Sequence, residues 1–154
     1  MNISIRKADP ANAGELTDIA FAAKRDWDYP ESWIQLWADE LEVDADYVAS
    51  NRVFTASDGK QILGWCAVTE EDGELWLDYC WVLPEAAGTG IGRALVTRAF
   101  DVAAELQSPA LKVIADPNAE GFYRKLGFRL VGQYPSVPSG RKLPVLKAPV
   151  PQSR

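Results

Sequence analysis

The segment that most restricts how this chain can fold is a strand that runs into a glycine-rich turn and leaves it as a helix. Residues 75–83 are apolar and aromatic apart from Asp78 and read as a strand. Pro84 ends it, Glu85-Ala-Ala-Gly-Thr-Gly90 follows, and residues 90–106 place Ile91, Leu95, Ala99, Val102, Ala103 and Leu106 on one helical stripe. Gly88, Gly90 and Gly92 let the backbone turn tightly and leave amide N–H groups uncovered. With the positive end of the helix dipole behind them, those groups form a site for a phosphate or pyrophosphate. Two rival phosphate loops fail on spacing. A Walker loop ends in Gly-Lys-Ser/Thr, whereas Gly92 precedes Arg93-Ala94, and a GxGxxG fingerprint begun at Gly88 has Arg93 in sixth place. Taken alone, the glycines fit a tight turn without a ligand equally well.

Hairpins precede this unit. Residues 53–57, 62–70 and 75–83 read as strands, and the joints Ser57-Asp58-Gly59-Lys60 and Glu71-Asp72-Gly73-Glu74 carry Asp-Gly, whose residues tolerate positive φ. A two-residue turn at Asp72-Gly73 sets Cys66 opposite Tyr79 and Cys80 opposite Trp65. The cysteines then point to opposite faces of the sheet, which argues against a bridge.

Upstream, residues 2–8 alternate as a first strand, and residues 13–27 carry Leu16, Ile19, Ala20, Ala23 and Trp27 at helical spacing. After Asp28-Tyr29-Pro30, residues 31–42 read as a second helix with Trp33, Leu36, Trp37 and Leu41 on one stripe, and 44–50 as a further turn of helix. Downstream come a strand at 111–115, a helix at 117–126, a strand at 128–133, and a proline-rich tail with a last strand around Leu143-Pro-Val-Leu146. The order β-α-α-β-β-β-α-β-α-β-β opens on hairpins and closes on a strand-helix-strand crossover. A doubly wound dinucleotide fold would open on a βαβ unit instead.

The 154 residues, 47% hydrophobic and 25% charged, suit one compact domain spanning 1–154. No apolar run approaches the ~20 residues that span a bilayer, and the N-terminus has no apolar signal core. The expectation is a soluble, cytoplasmic protein without a membrane partner. Sixteen basic against twenty-two acidic residues give a net charge of −6, which disfavours nucleic acid as a partner and suits a cationic one. There is no histidine, so histidine bases, Ser–His or Cys–His pairs and imidazole metal sites are excluded, and two cysteines are too few for a zinc site or a disulfide scaffold. No metal is expected.

Val82-x-Pro84 followed by Gly88-x-Gly90-Ile91-Gly92-x-x-Leu95 resembles the acetyl-CoA-binding motif of the GNAT superfamily of N-acetyltransferases. Asp116-Pro-Asn-Ala119-Glu-Gly-Phe-Tyr123-Arg-Lys-Leu-Gly-Phe128 resembles that superfamily's second motif, in the right order and separated by a helix and a strand. Lys24-x-x-Trp27-x-Tyr29 and Ser139-Gly-Arg141-x-Leu-Pro144 are similar to a small-molecule subgroup. The resemblance implies an α/β (α+β) acyl-CoA N-acyltransferase fold: a central, mixed, mostly antiparallel sheet of about seven strands flanked by helices. It implies acetyl-CoA as co-substrate and a primary amine, of a small molecule, as acceptor, with direct attack in a ternary complex. The alternatives are an acyl-CoA-sensing module without turnover and an acetyltransferase acting on protein N-termini or lysines. Either a monomer or a homodimer fits.

Carried over residue by residue, the resemblance gives the cofactor arm to Cys80, Trp81 and Val82, on a strand that splays from its neighbour after a bulge. It gives the pyrophosphate to Ala87, Gly88, Thr89, Gly90, Ile91, Gly92 and Arg93. Ala87 departs from the usual Gln or Arg, and Arg93 is placed to supply the missing polarity. The usual Asn of the second motif, which contacts the cofactor's pantetheine arm, is Asp116 here, with Asn118 two residues on as the cofactor-binding candidate; Asp116 followed by Pro117 also reads as a helix N-cap.

Acetyl transfer needs a deprotonated amine, a polarised carbonyl and a stabilised or protonated thiolate. Tyr123 takes the family's sulfur-side tyrosine position, and a phenol with a pKa of about 10 can donate a proton at neutral pH; the competing reading is a core aromatic. Asp78, four residues before Val82 and on the same nominal face, reads as base or amine binder, or as an aspartate that bonds backbone at a bulge. Trp27 and Tyr29, at the break between the first two helices, read as acceptor walls or as packing between helices. Arg141 is placed to meet an acidic group on substrate or partner.

Overall fold

The computed structural model describes residues 2–151. Alternating apolar residues and Asp-Gly turns produce β1 (Ser4–Lys7), β2 (Arg52–Ser57), β3 (Ile62–Glu71) and β4 (Glu74–Val82), an antiparallel run closed by Asp72 at φ 53° and Gly73 at φ 78°. β5 (Ala110–Ile114) joins β4 in parallel, and β6 (Arg129–Ser136) folds back on β7 (Arg141–Pro149). The sheet order is β1-β2-β3-β4-β5-β7-β6, the mixed, mostly antiparallel seven-stranded sheet that the resemblance implies. The last strand is longer than the tail's composition suggests, because β7 is inserted between β5 and β6 and is paired on both edges.

Helices cover both faces. On one, α5 (Ile91–Glu105) and α6 (Glu120–Lys125) lie over the sheet, with Leu95, Ala99 and Val102 packed among Cys66, Val68 and Leu77. On the other, α1 (Ala13–Arg25), α2 (Glu31–Leu36), α3 (Ala38–Leu41) and α4 (Ala45–Ser50) bury Leu16, Ile34, Trp37 and Val48 against Val53 and Trp65. Fully burying such a side chain contributes roughly 1.5–3 kcal/mol. The Trp65 indole N–H, inside this core, donates to the Leu16 carbonyl at 2.8 Å. No helix among the described residues is long and apolar enough to cross a membrane.

The structure corrects two sequence expectations. The helix expected over 31–42 breaks at Trp37, whose φ −95° and ψ 1° leave the helical region. Trp37 turns inward, its indole N–H donating to the Val137 carbonyl at 2.8 Å, while Leu36, expected on the buried stripe, is 56% exposed. The second correction lies in the β3–β4 hairpin. Its register runs as expected from Glu71↔Glu74 to Val68↔Leu77, then shifts between Ala67 and Val68, leaving Asp78 as the extra residue of a bulge. Beyond it Cys66 faces Cys80 and Trp65 faces Trp81.

One extra residue reverses the alternation. Leu75, Leu77, Cys80 and Val82 therefore pack on the α5 side, and Tyr79 and Trp81 on the α1–α4 side. The two cysteines share a face, contrary to the expected opposite faces, and both are free thiols. Asp78 does not share Val82's face as its spacing suggested: it accepts a hydrogen bond from the Tyr47 hydroxyl, on the α4 side. β4 pairs with β5 only at Trp76↔Lys112 and Leu77↔Val113, so the strands part where the bulge begins and a gap opens between them.

Candidate active site

The gap between β4 and β5 leads into a cleft of about 320 Å³. Its walls are Cys80, Trp81 and Val82 of β4, the turn residues Ala87, Gly88, Gly90, Gly92 and Arg93, and Asn118, Phe122 and Tyr123 around α6. Gly88 at φ 78° and Gly90 at φ 87° are left-handed, and a Cβ on either would meet nothing within 4 Å. Conformation and open space, rather than crowding, call for glycine there. Gly92 differs, since its Cβ would lie 3.1 Å from the Phe122 ring, which would have to give by a few tenths of an ångström.

Gly90 occupies the N-cap of α5, and no side chain caps the helix. Its first-turn N–H groups and the dipole behind them face the open turn, which fits an anionic phosphate group. Arg93 is exposed beside them. Two expected loop residues do not line the cleft. The Thr89 hydroxyl donates to the Ala86 carbonyl and ties the turn, and Ile91 is buried in the core.

Tyr123 is buried at the floor of the cleft, next to Cys80. Burial and the neighbouring Cys80 push the phenol well above its ordinary value, so it holds its proton at neutral pH. Burial likewise pushes the Cys80 thiol up to about 12, although a hydrogen bond from Tyr123 acts the other way. Both the Cys80 thiol and the Tyr123 phenol therefore stay protonated at neutral pH.

Behind Trp81 lies a second, smaller cavity of about 110 Å³, whose walls include Lys24, Trp37, Glu40, Asp78, Tyr79, Trp81 and Arg141. Its inner side is a polar cluster centred on Asp116. The carboxylate accepts from Lys24 Nζ at 2.6 Å, from the Tyr29 hydroxyl at 3.0 Å and from Arg141 Nη2 at 3.3 Å, and it caps the following turn through the Asn118 backbone N–H at 2.8 Å. Burial raises the Asp116 carboxyl, but the charge and hydrogen bond of Lys24 and the hydrogen bonds of Asn118 outweigh it and hold the group below the usual carboxylate value. Burial lowers Lys24 despite Asp116, with Arg141 adding to the fall. The Lys24 ammonium sits 4.4 Å from the centre of the Trp37 ring and 5.3 Å from that of Tyr29.

The N-cap reading of Asp116 holds, but the ion cluster was not read from the sequence. Lys24 and Asp116 stand 92 residues apart, and Tyr29 and Arg141 stand 112 apart. One signal was available: Lys24 follows Ala20 by four residues on the buried stripe of α1, and a lysine there needs a partner. Of the expected acceptor residues, Asp78 lines the smaller cavity. Trp27 lines the larger cleft instead, with its ring 6.2 Å from that of Trp81, and Tyr29 lines neither cavity because its hydroxyl is taken up by Asp116, Asn118 and Arg141. Arg141 meets an acidic group, as expected, but that group is the chain's own Asp116. No group of three or more His, Cys, Asp or Glu side chains is placed to hold a metal among the described residues.

A bulged β4, its splay from β5 and an uncapped, glycine-headed α5 define an acyl-CoA N-acyltransferase fold. The chain belongs to the acetyltransferase (GNAT) family, whose model matches residues 16–128. It is 31% identical to the peptidyl-lysine N-acetyltransferase YjaB of Escherichia coli K12 over a stretch covering 53% of this chain and 60% of that protein, so the match spans about three fifths of the relative. Among solved structures, a GCN5-related N-acetyltransferase from Rhodopseudomonas palustris superposes with a TM-score of 0.82 at 20% identity, covering 97% of this chain and 96% of that one. The PaiA N-acetyltransferase of Thermoplasma acidophilum, solved with coenzyme A, gives 0.78 at 16% identity, with 97% and 99% covered. At these identities the likeness speaks for the fold.

Proposed function

We propose that this chain moves an acetyl group from acetyl-CoA to the primary amine of a small molecule, by direct attack in a ternary complex. One observation carries the reading: two cavities of unlike character share the wall formed by Trp81. The larger has an uncapped helix N-terminus at one end and a proton-holding tyrosine on its floor, and it suits a long ligand with phosphate at its head. Gly88 to Arg93 hold the pyrophosphate, and the β5-facing edge of Cys80, Trp81 and Val82 holds the arm. The smaller cavity, lined by charged and aromatic side chains, takes the acceptor.

Asp78, oriented by the Tyr47 hydroxyl, accepts a proton from the ammonium directly or through water. The free amine then forms the N–C bond as the C–S bond breaks, Tyr123 gives its proton to the departing sulfur, and the second proton lost from the nitrogen restores the Tyr123 phenol. The raised Cys80 thiol argues against an acetyl-cysteine route. Acetylation of a protein lysine is a second reading, supported by the likeness to YjaB.

Thiol release from acetyl-CoA, corrected for hydrolysis, over a panel of small amines and lysine peptides tests both readings. Turnover with small amines is expected; release with peptides alone would favour the second reading, and none with either would sink both. In Asp78→Asn turnover should fall about 10²-fold with the KM for acetyl-CoA little changed, and wild-type turnover would remove Asp78 as the base.

A further inference from the structure

The smaller cavity has a charge pattern that acetyl transfer by itself does not require. Lys24 and Arg141 supply two cations to its inner side, and among the described residues Asp116 is the one carboxylate bonded to them. These side chains are 11%, 13% and 4% exposed, so the excess positive charge is poorly solvated. Burial lowers the Lys24 pKa and Arg141 lowers it further, against the opposing pull of Asp116 and Glu40.

The hydrogen bonds are short of acceptors too. Arg141 spends Nη2 on Asp116 and Tyr29, while its buried Nε finds no partner among the described residues. The buried Nε1 of Trp81 also lacks one. Folded proteins leave few buried donors unpaired, and both of these belong to residues lining the same cavity. Water would satisfy the donors without supplying charge. A carboxylate supplies both, with two acceptor oxygens and one negative charge.

The rim carries the opposite sign. Asp78 and Glu40 line the cavity and are exposed, and Tyr79 links their neighbourhoods by donating to the Glu40 carbonyl. The cavity therefore has a cationic, donor-rich interior and an anionic mouth. We propose that the acceptor is an amino carboxylic acid, its carboxylate held by Arg141 Nε and Trp81 Nε1 beside Lys24 and its ammonium turned toward Asp78. This rests on the acetyl-transfer reading and narrows it. A polyamine or aminoglycoside would press cations against Lys24 and Arg141, and a lysine within a peptide brings no carboxylate.

The test uses the intact chain, saturating acetyl-CoA and matched triplets: amino carboxylic acids, their carboxamides and the corresponding decarboxylated amines, followed by thiol release. The acids should exceed the amides in kcat/KM by at least about tenfold, the scale of a charge-assisted hydrogen bond. Arg141→Lys keeps the charge and Trp81→Phe keeps the ring, and each removes one unpaired donor. Both variants, checked for native melting behaviour, should shrink the acid-to-amide ratio, and Arg141→Lys, which lies outside the larger cleft, should do so while leaving the KM for acetyl-CoA in place. Amides or plain amines turned over as well as the acids would overturn this inference and leave acetyl transfer standing. So would a Trp81→Phe effect confined to the KM for acetyl-CoA. No thiol release from any amine would overturn the acetyl-transfer reading, and this one with it.

Discussion

The two cavities on either side of Trp81 are built in opposite ways. The larger cleft, proposed for the cofactor, is made of backbone: left-handed glycines, the open edge of β4 and the N–H groups at the head of α5, with mostly apolar side chains as lining. The smaller cavity, proposed for the acceptor, is made of side chains, and its central cluster joins residues from α1, the β5–α6 connection and the start of β7. A backbone site can be specified by a run of consecutive residues, because turn geometry is local. A side-chain site of buried charges depends on every partner being present, and removing one leaves the others uncompensated.

Four substitutions would break or sharpen that contrast. Asp116→Ala should have the largest effect, since it strips Lys24 and Arg141 of their shared counterion. A loss of about 3–5 kcal/mol is expected for breaking a buried pair, read from urea unfolding. The pH dependence follows from the lowered Asp116 carboxyl. A depressed carboxyl contributes stability above its unfolded pKa of about 3.9, and that contribution fades as pH falls through the lower folded value. The wild type should therefore lose stability below about pH 4 with a slope that Asp116→Ala flattens. Equal slopes would show that Asp116 is not the titrating group.

Tyr123→Phe comes next. Turnover should fall about 10²-fold with little change in acetyl-CoA affinity, as for loss of a general acid. Wild-type turnover in the variant would return Tyr123 to the role of a core aromatic. Gly90→Ala should cost about 1–2 kcal/mol through left-handed strain alone, since nothing crowds the new methyl. Unfolding midpoints measured with and without CoA would separate that strain from any loss of binding. The smallest effect is expected from Ala87→Gln, which restores the polar side chain usual in the family. One added hydrogen bond, about 0.5–1.5 kcal/mol, should lower the KM for acetyl-CoA by about two- to tenfold. A KM that stayed put would mean the backbone amides already do the binding.

The uneven legibility of the site has the same origin as this contrast. The glycine turn, the helix behind it and the hairpins were readable because each is dictated within a few residues. Thr89 and Ile91 were assigned to the cleft by their place in the motif, yet one ties the turn and the other fills the core. A motif marks which segment approaches a ligand; the side chains within it still alternate between inside and outside. Asp78 shows the limit most clearly. Counting in twos from Val82 put both residues on one face, and a single bulge residue put them on opposite faces. Periodicity does not mark that bulge, which only the motif resemblance implied, because a shift in register depends on the packing of both faces at once.

The sequence by itself determined the order of strands and helices, the glycine-headed turn, the absence of histidine chemistry and the family. The first three follow from periodicity, turn residues and composition, and the family from the likeness of two motifs, all short-range properties of the chain. Only the tertiary structure decided which face Asp78 and the two cysteines occupy, where β4 leaves β5, and that Lys24, Tyr29, Asp116 and Arg141 form one cluster. Those outcomes require distant segments to be brought into contact, and the desolvation of the charges they bring together is what makes the cluster matter.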